Sequence, residues 1–296
     1  MGNTTNSKYR EYYEAFIKSR KDYYWAWVYS IIAYIFALVL FAYSIKRFSY
    51  FYLRIAEELW PVIVAGPAAA LSPLVFKATV DVRRKYKKLL VWSAMEKVFS
   101  DLHVQPEGKL SYAELQAAGL HVDVNAKQND WFCGNYNGVS FILCDVMQMR
   151  FKGRILIVEL DKAFLHRVTV VQKGFPKNKQ DTENLQTLVI DSSIFMDNFV
   201  CYAENTKRAE EILTPQIVQA LNLVAAVTDG KLHVTFCGYR IFVSIHDKRD
   251  AFEPPLFRKF DLEQEMESVY IQIRQSTDLI EAVTGQNHTE NLQSTD

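Results

Sequence analysis

Residues 23–45 read YYWAWVYSIIAYIFALVLFAYSI, 23 positions without a charge between Asp22 and Lys46. Wound as a helix the run rises ~34 Å at ~1.5 Å per residue, which covers the ~30 Å hydrocarbon core of a bilayer. Tyr23, Tyr24, Trp25 and Trp27 crowd one end; Tyr43, Phe48, Tyr50, Phe51 and Tyr52 crowd the other. Aromatic side chains gather in this way at the two membrane–water interfaces. A cleaved signal peptide has a shorter apolar stretch and a small-residue cleavage site, and none follows Ile45. A core helix of a medium-sized domain has a polar face, which this run lacks. The stretch therefore predicts a transmembrane helix over 23–45, preceded by a charged segment, 1–22.

A second uncharged run extends from Leu59 to Phe76, beyond a short loop at 46–58. Its 18 residues sit near the lower limit for spanning. Pro61 suits a first helical turn. Pro67 and Pro73 predict kinks, which membrane helices tolerate when neighbouring groups satisfy the freed carbonyls. Ala65, Gly66, Ala68, Ala69 and Ala70 offer a small-residue face for helix–helix packing. The reading is a helical hairpin of two spans, 23–45 and 59–76, with a re-entrant second segment as the alternative.

Flanking charge sets the expected orientation. Lys8, Arg10, Lys18, Arg20 and Lys21 precede the first run, and Lys77, Arg83, Arg84, Lys85, Lys87 and Lys88 follow the second. The loop between them has only Lys46, Arg47 and Arg54. The positive-inside rule then places both termini in the cytoplasm, in a multi-pass protein of the inner (plasma) membrane. The partner so defined is the lipid bilayer. Arg83, Arg84 and Lys85 are a topology signal or, alternatively, a contact for anionic lipid headgroups. Lys plus Arg and Asp plus Glu both total 34, so no global field attracts nucleic acid.

Beyond the membrane the pattern changes. A helical period runs from Lys77 to about Ser100 through Val82, Tyr86, Leu89, Trp92, Met95, Val98 and Phe99. Ser111-Tyr-Ala-Glu114 reads as a capping box, with Gly119 as the helix stop. Strands are expected at 138–149, 153–160, 167–172, 185–191 and 199–202. Helices are expected at 204–213 and 214–227, the latter opened by Thr214-Pro215. Asp229-Gly230 reads as a turn, and 231–236 with 240–246 as a hairpin about Cys237-Gly238-Tyr239. A last helix is expected at 260–283 and a disordered tail at 284–296. Strands and helices in separate runs argue for an α+β domain over 77–283, a mostly antiparallel sheet with packed helices.

Chemistry is sparse. The cysteines, Cys133, Cys144, Cys201 and Cys237, have no zinc spacing and read as buried reduced thiols. The histidines form no metal motif, and no nucleophile elbow, phosphate loop or dinucleotide fingerprint occurs. No cofactor is expected, and the sequence leaves enzymatic activity open, leaning against it. Asp191-Ser192-Ser193 reads as a cap after a strand. Phe252-Glu253-Pro254-Pro255 reads as a rigid connector or as a recognition corner in which Glu253 meets a basic partner, because proline holds the preceding residue extended.

Several stretches together resemble a known family. They are Phe151-Lys-Gly153, Ile190-Asp-Ser-Ser-Ile-Phe195, Phe199-Val-Cys-Tyr-Ala203, Arg208-Ala209 with Ile212-Leu-Thr-Pro215, and the approach to Phe252-Glu-Pro254. In order and spacing they resemble the bacterial membrane proteins grouped as domain of unknown function 3137, over roughly residues 20–275. The resemblance implies two N-terminal hydrophobic segments ahead of a folded domain and no known activity. It also implies another membrane protein, of the LemA type, as a companion.

Overall fold

The structure is a computed structural model that describes residues 2–47, 66, 71–105, 108–120, 126–148, 150–176, 182–228, 230–247, 254, 256–257 and 259–284. The expected turn at Asp229, the tail beyond Thr284 and most of the second apolar run lie outside the described residues. The chain divides into two compact units, residues 1–93 with 252–265, and residues 94–251 with 266–296.

The first unit is helical. α1 (Gly2–Arg47) is one continuous 46-residue helix that joins the charged N-terminal segment to the apolar run. α2 (71–86) continues into a π-helical turn, Lys87–Trp92. That wider turn is marked by the Ser93 hydroxyl reaching back five residues to the Lys88 carbonyl at 3.3 Å. Within it Leu89, Leu90 and Val91 are all buried, a run that a regular turn would spread around the axis.

The second unit is built on an antiparallel sheet. After α3 (Ser93–Val98) come β1 (Ser100–Gln105), α4 (Tyr112–Ala117), β2 (Lys127–Tyr136), β3 (Val139–Gln148) and β4 (Phe151–Gln172). They are followed by β5 (Gln186–Leu188), α5 (Ser193–Asn198), β6 (Phe199–Ala203), α6 (Thr206–Ile212), α7 (Pro215–Val227), β7 (Lys231–His246) and α8 (Leu262–Thr284). The strand order is β1-β2-β3-β4-β6-β5, with β7 on β4.

β4 and β7 decide the shape of this unit. A straight 22-residue strand would reach ~73 Å at ~3.3 Å per residue. Yet Phe151 at the start of β4 lies 5.9 Å, ring to ring, from Phe175 just past its end. Phe175 also meets the rings of His233 and His246, near the two ends of β7, at 5.2 and 6.3 Å. The two-stranded ribbon therefore folds back on itself. Its register slips between Glu159 and Phe164 and again between Phe164 and Val168, which locates the bend. β4 changes neighbour there: 151–158 pair with β3, and 168–172 pair with β6. A strand that turns a corner in this way serves two packed sheets. Between them lies a core that includes Phe151, Ile155, Ile157, Val171, Phe175 and Phe242.

Polar side chains close the ribbon. Gln172 accepts from the Leu232 amide at 2.9 Å, and the Thr169 and Thr235 hydroxyls meet at 3.3 Å, in the interior. Arg240 bridges Glu114 of α4 at 3.0 Å and Glu159 of β4 at 2.7 Å. α4 has the expected capping box at Ser111 and Glu114, and Gly119, with φ +79°, stops it. Thr214 caps α7 through the Ile217 amide.

Three expectations need correction. Residues 153–160 and 167–172 are one strand. Residues 231–246 are also one strand, because both halves pair antiparallel with β4 and Gly238 sits opposite Phe164 at the bend. The sequence reading also omits β1 and β2, whose composition is polar and whose pairing is irregular. Asp101 and Asp130 take positive φ where the β1–β2 and β2–β3 registers shift. Aspartate tolerates that geometry because its short side chain can bond the local backbone.

Gly153 lies on β4 against the backbone of β7 at Ile245. A Cβ there would stand 1.8 Å from the Ile245 carbonyl oxygen. Gly153→Ala should lower stability by about 1–3 kcal/mol, as overpacking does, read as a shifted urea midpoint. Farther along the sheet the Tyr136 hydroxyl donates to Glu281 of α8 at 2.7 Å. Burial, then the Glu281 hydrogen bond and charge, push this phenol up to about 12 from 10.0. The folded value is the higher one, so the contribution is intact below pH 10.0 and is lost as pH rises toward about 12. Tyr136→Phe should cost about 0.5–1.5 kcal/mol at neutral pH. Its deficit against the parent should shrink in alkaline denaturation curves.

Candidate functional site

The surface that stands out chemically belongs to the first unit. Along α1 the side chains of Tyr24, Trp25, Tyr29, Ile31, Ile32, Ile35, Phe36, Val39, Leu40 and Tyr43 are exposed, with Phe36 at 62% and Val39 at 58%. Exposed apolar residues scattered over a protein are ordinary, whereas a continuous charge-free band of this length is not. Among the described residues α1 is the helix long and apolar enough to cross a membrane.

Below that band α1 is held by protein. Phe16, which is fully buried, packs on Tyr86 of α2 at 5.7 Å and on Phe260 at 4.9 Å. The Ser19 hydroxyl donates to Asp81 at 2.6 Å, and Lys88 lies 4.6 Å above the Tyr12 ring. Rising positions on α1 meet falling positions on α2, so the two helices run antiparallel. The segment before α8 completes the packing: Phe257 rests on Tyr23 at 5.6 Å and Trp27 at 6.2 Å, and Arg20 lies 5.7 Å from the Phe260 ring. Tyr86 donates to the buried Glu265 carboxylate at 2.9 Å.

The predicted interaction residues separate in this frame. Arg83 and Arg84 are exposed on α2, while Lys85 is half-buried and paired with Asp81 at 2.8 Å. Phe252 and Glu253 lie outside the described residues, and Pro254 is buried. The sequence reading gave no contact to Phe257, and took Phe260 as the start of the last helix, which begins at Leu262. Their signal is two aromatic residues three positions apart just after Pro255, a pair too short to establish a helical period.

Electrostatics at the helix pair centre on Asp81. Burial raises its pKa, but hydrogen bonds from Lys85 and Ser19 and the charges of Lys85 and Arg84 outweigh it, and the net shift is downward. Elsewhere burial pushes the Cys144 and Cys201 thiols up to about 12, with nearby carboxylates adding to the shift at Cys144. Such thiols stay protonated and unreactive near neutral pH. Cys133 is half-buried with its pKa also raised, and Cys237 is exposed. Among the described residues no three of His, Cys, Asp and Glu converge as metal ligands.

The described parts define an α+β protein, an antiparallel sheet with packed helices behind one long N-terminal apolar helix. Residues 149–284 match the family model described as "Protein of unknown function (DUF3137)", the family that the motifs of this stretch resemble. No curated protein matches the sequence. A similar solved structure is the crystal structure of the mycobacterial trehalose monomycolate transport factor A, TtfA. It is 12% identical, covers 68% of this chain and 95% of its own, and superposes with a TM-score of 0.39.

Asp81 yields a pH test. A depressed carboxylate contributes stability above its ordinary value of 3.8 and loses it as pH falls through the folded value. The full-length protein in detergent should therefore lose thermal stability more steeply in acid than Asp81→Asn does.

Proposed function

We propose that the protein is a membrane-tethered interaction or scaffold module, an accessory of a membrane assembly. The observation that carries this reading is the exposed, charge-free band on α1 between Tyr24 and Tyr43. No soluble environment favours leaving so many large apolar side chains in water. In this reading the segment 59–76 is a second span that pairs with α1 as a hairpin. Two features support the pairing: α2 runs antiparallel to α1, and Leu74, Phe76 and Val80 are exposed on it. The arrangement is multi-pass, with both termini and the domain at 77–283 on the cytoplasmic side of a bacterial inner membrane, as the flanking charges favour.

Arg83 and Arg84 then lie below the bilayer, where anionic headgroups hold them. The Phe252-Glu253-Pro254 corner is the candidate recognition point for a basic partner. The family resemblance adds a membrane protein of the LemA type as the companion to seek.

Topology tests the reading. Ser294→Cys is introduced with Cys133 and Cys237 replaced, leaving the two buried thiols in place. Intact cells are then treated with a membrane-impermeant maleimide. Labelling that appears only after lysis is the expected result. Labelling of intact cells would overturn the cytoplasmic orientation and, with it, the headgroup role of Arg83 and Arg84.

A further inference from the structure

The segment joining the sheet to α8 ends in a side chain that protein packing does not explain. Phe257 is 72% exposed, although one side of its ring rests on Tyr23 and Trp27. Phe260, three residues on, is held against α1 by Phe16 and Arg20. The segment is thus pinned at Phe260 and holds Phe257 outward against α1.

Height along α1 gives this placement its meaning. The Ser19–Asp81 hydrogen bond fixes the register of α1 against α2. About one helical turn toward the apolar band from that bond lie Tyr23 and Tyr24 on α1, and Phe76 and Lys77 on α2. Phe76 is 71% exposed, and Trp25 and Trp27 are also exposed. Exposed aromatic side chains from three separate chain segments therefore stand at one level. Exposed lysines, Lys21, Lys77 and Lys259, accompany them. Aromatic rings mixed with lysines suit the boundary between headgroups and acyl chains, where the ring enters and the ammonium remains in water. Above this level residues 28–45 carry no charge and rise ~27 Å, close to the ~30 Å thickness of a hydrocarbon core.

We infer that Phe257 is a membrane-interface anchor: the segment preceding α8 dips into the lipid surface beside Trp27 and forms a third membrane contact, distant in sequence from the two apolar runs. The inference rests on the membrane-spanning reading of α1 and adds the depth at which the bilayer begins. Its occupant is the lipid surface. The supporting observations are the continuity of Phe257 with the apolar band and the lysines at its level.

The experiment uses the full chain with Cys133 and Cys237 replaced. A polarity-sensitive fluorophore is attached at Phe257→Cys or, separately, at Leu38→Cys. Each protein is reconstituted into phosphatidylcholine–phosphatidylglycerol vesicles whose lipids carry a nitroxide near the headgroup or near the bilayer centre. The expected result is loss of fluorescence at 257 with the shallow nitroxide and at 38 with the deep one. Quenching at 38 but at neither depth for 257 would overturn the anchor and leave the span intact. Absence of quenching at both positions would overturn the span and the anchor together. Quenching at 257 alone would overturn the span while keeping Phe257 at the lipid surface.

Discussion

The pairing of β4 with β7 is the constraint from which the second unit follows. Two strands of 22 and 16 residues exceed what a compact domain accommodates straight. Bonded to each other along their length, they bend together or part. The register slips around Phe164 let them bend, and the same slips free one edge of β4 to exchange β3 for β6. With the ribbon folded, Phe151, Val171, Phe175 and Phe242 come into one core, which Leu115 of α4 and the following Ala118 and Leu120 help to close. The close approach at Gly153 belongs to the same solution, because a side chain there would hold the strands apart before the corner is reached.

The first unit solves a different problem. α1 is continuous from a charged segment into an apolar one, so its lower half is held by protein and its upper half is suited to lipid. Aromatic packing does the holding: Phe16 meets Tyr86 and Phe260, and Tyr23 and Trp27 meet Phe257. Large rings bury much area per residue with few rotatable bonds, which suits a rigid junction between helices. Asp81, bonded to Ser19 and Lys85, fixes the vertical register that apolar packing alone leaves loose.

Much of this architecture was legible in the residues. The Ser111–Glu114 box, the Gly119 stop and the Thr214-Pro215 start each rest on local chemistry and stand where expected, and the apolar run lies within the one long helix α1. The errors arose where distant partners override local signals. Cys237-Gly238-Tyr239 has the composition of a loop, yet the continuous partner β4 draws it through the bend as strand. β2 is polar enough to hide between its neighbours, although Asn137-Gly138, with φ of 50° and 85°, marks its hairpin with β3 in residues that favour such a turn. Around the lower half of α1 the charges were visible and the rings of Phe257 and Phe260 were not. Two aromatic residues in a short connecting segment produce no period to detect.

The folded ribbon also sets an order of assembly. β4 leaves the ribosome with β2 and β3 already made, and the three can form their meander at once. The second partner of its first half, β7, comes only after residues 173–230 have been synthesised, ~3–12 s later at ~5–20 residues per second. Throughout that interval Ile155-Leu156-Ile157-Val158 presents an unpaired apolar edge, the kind of edge that recruits foreign strands. α1 is made before that edge, so a membrane that took it up would hold the nascent chain while the edge is open and until β7 covers it.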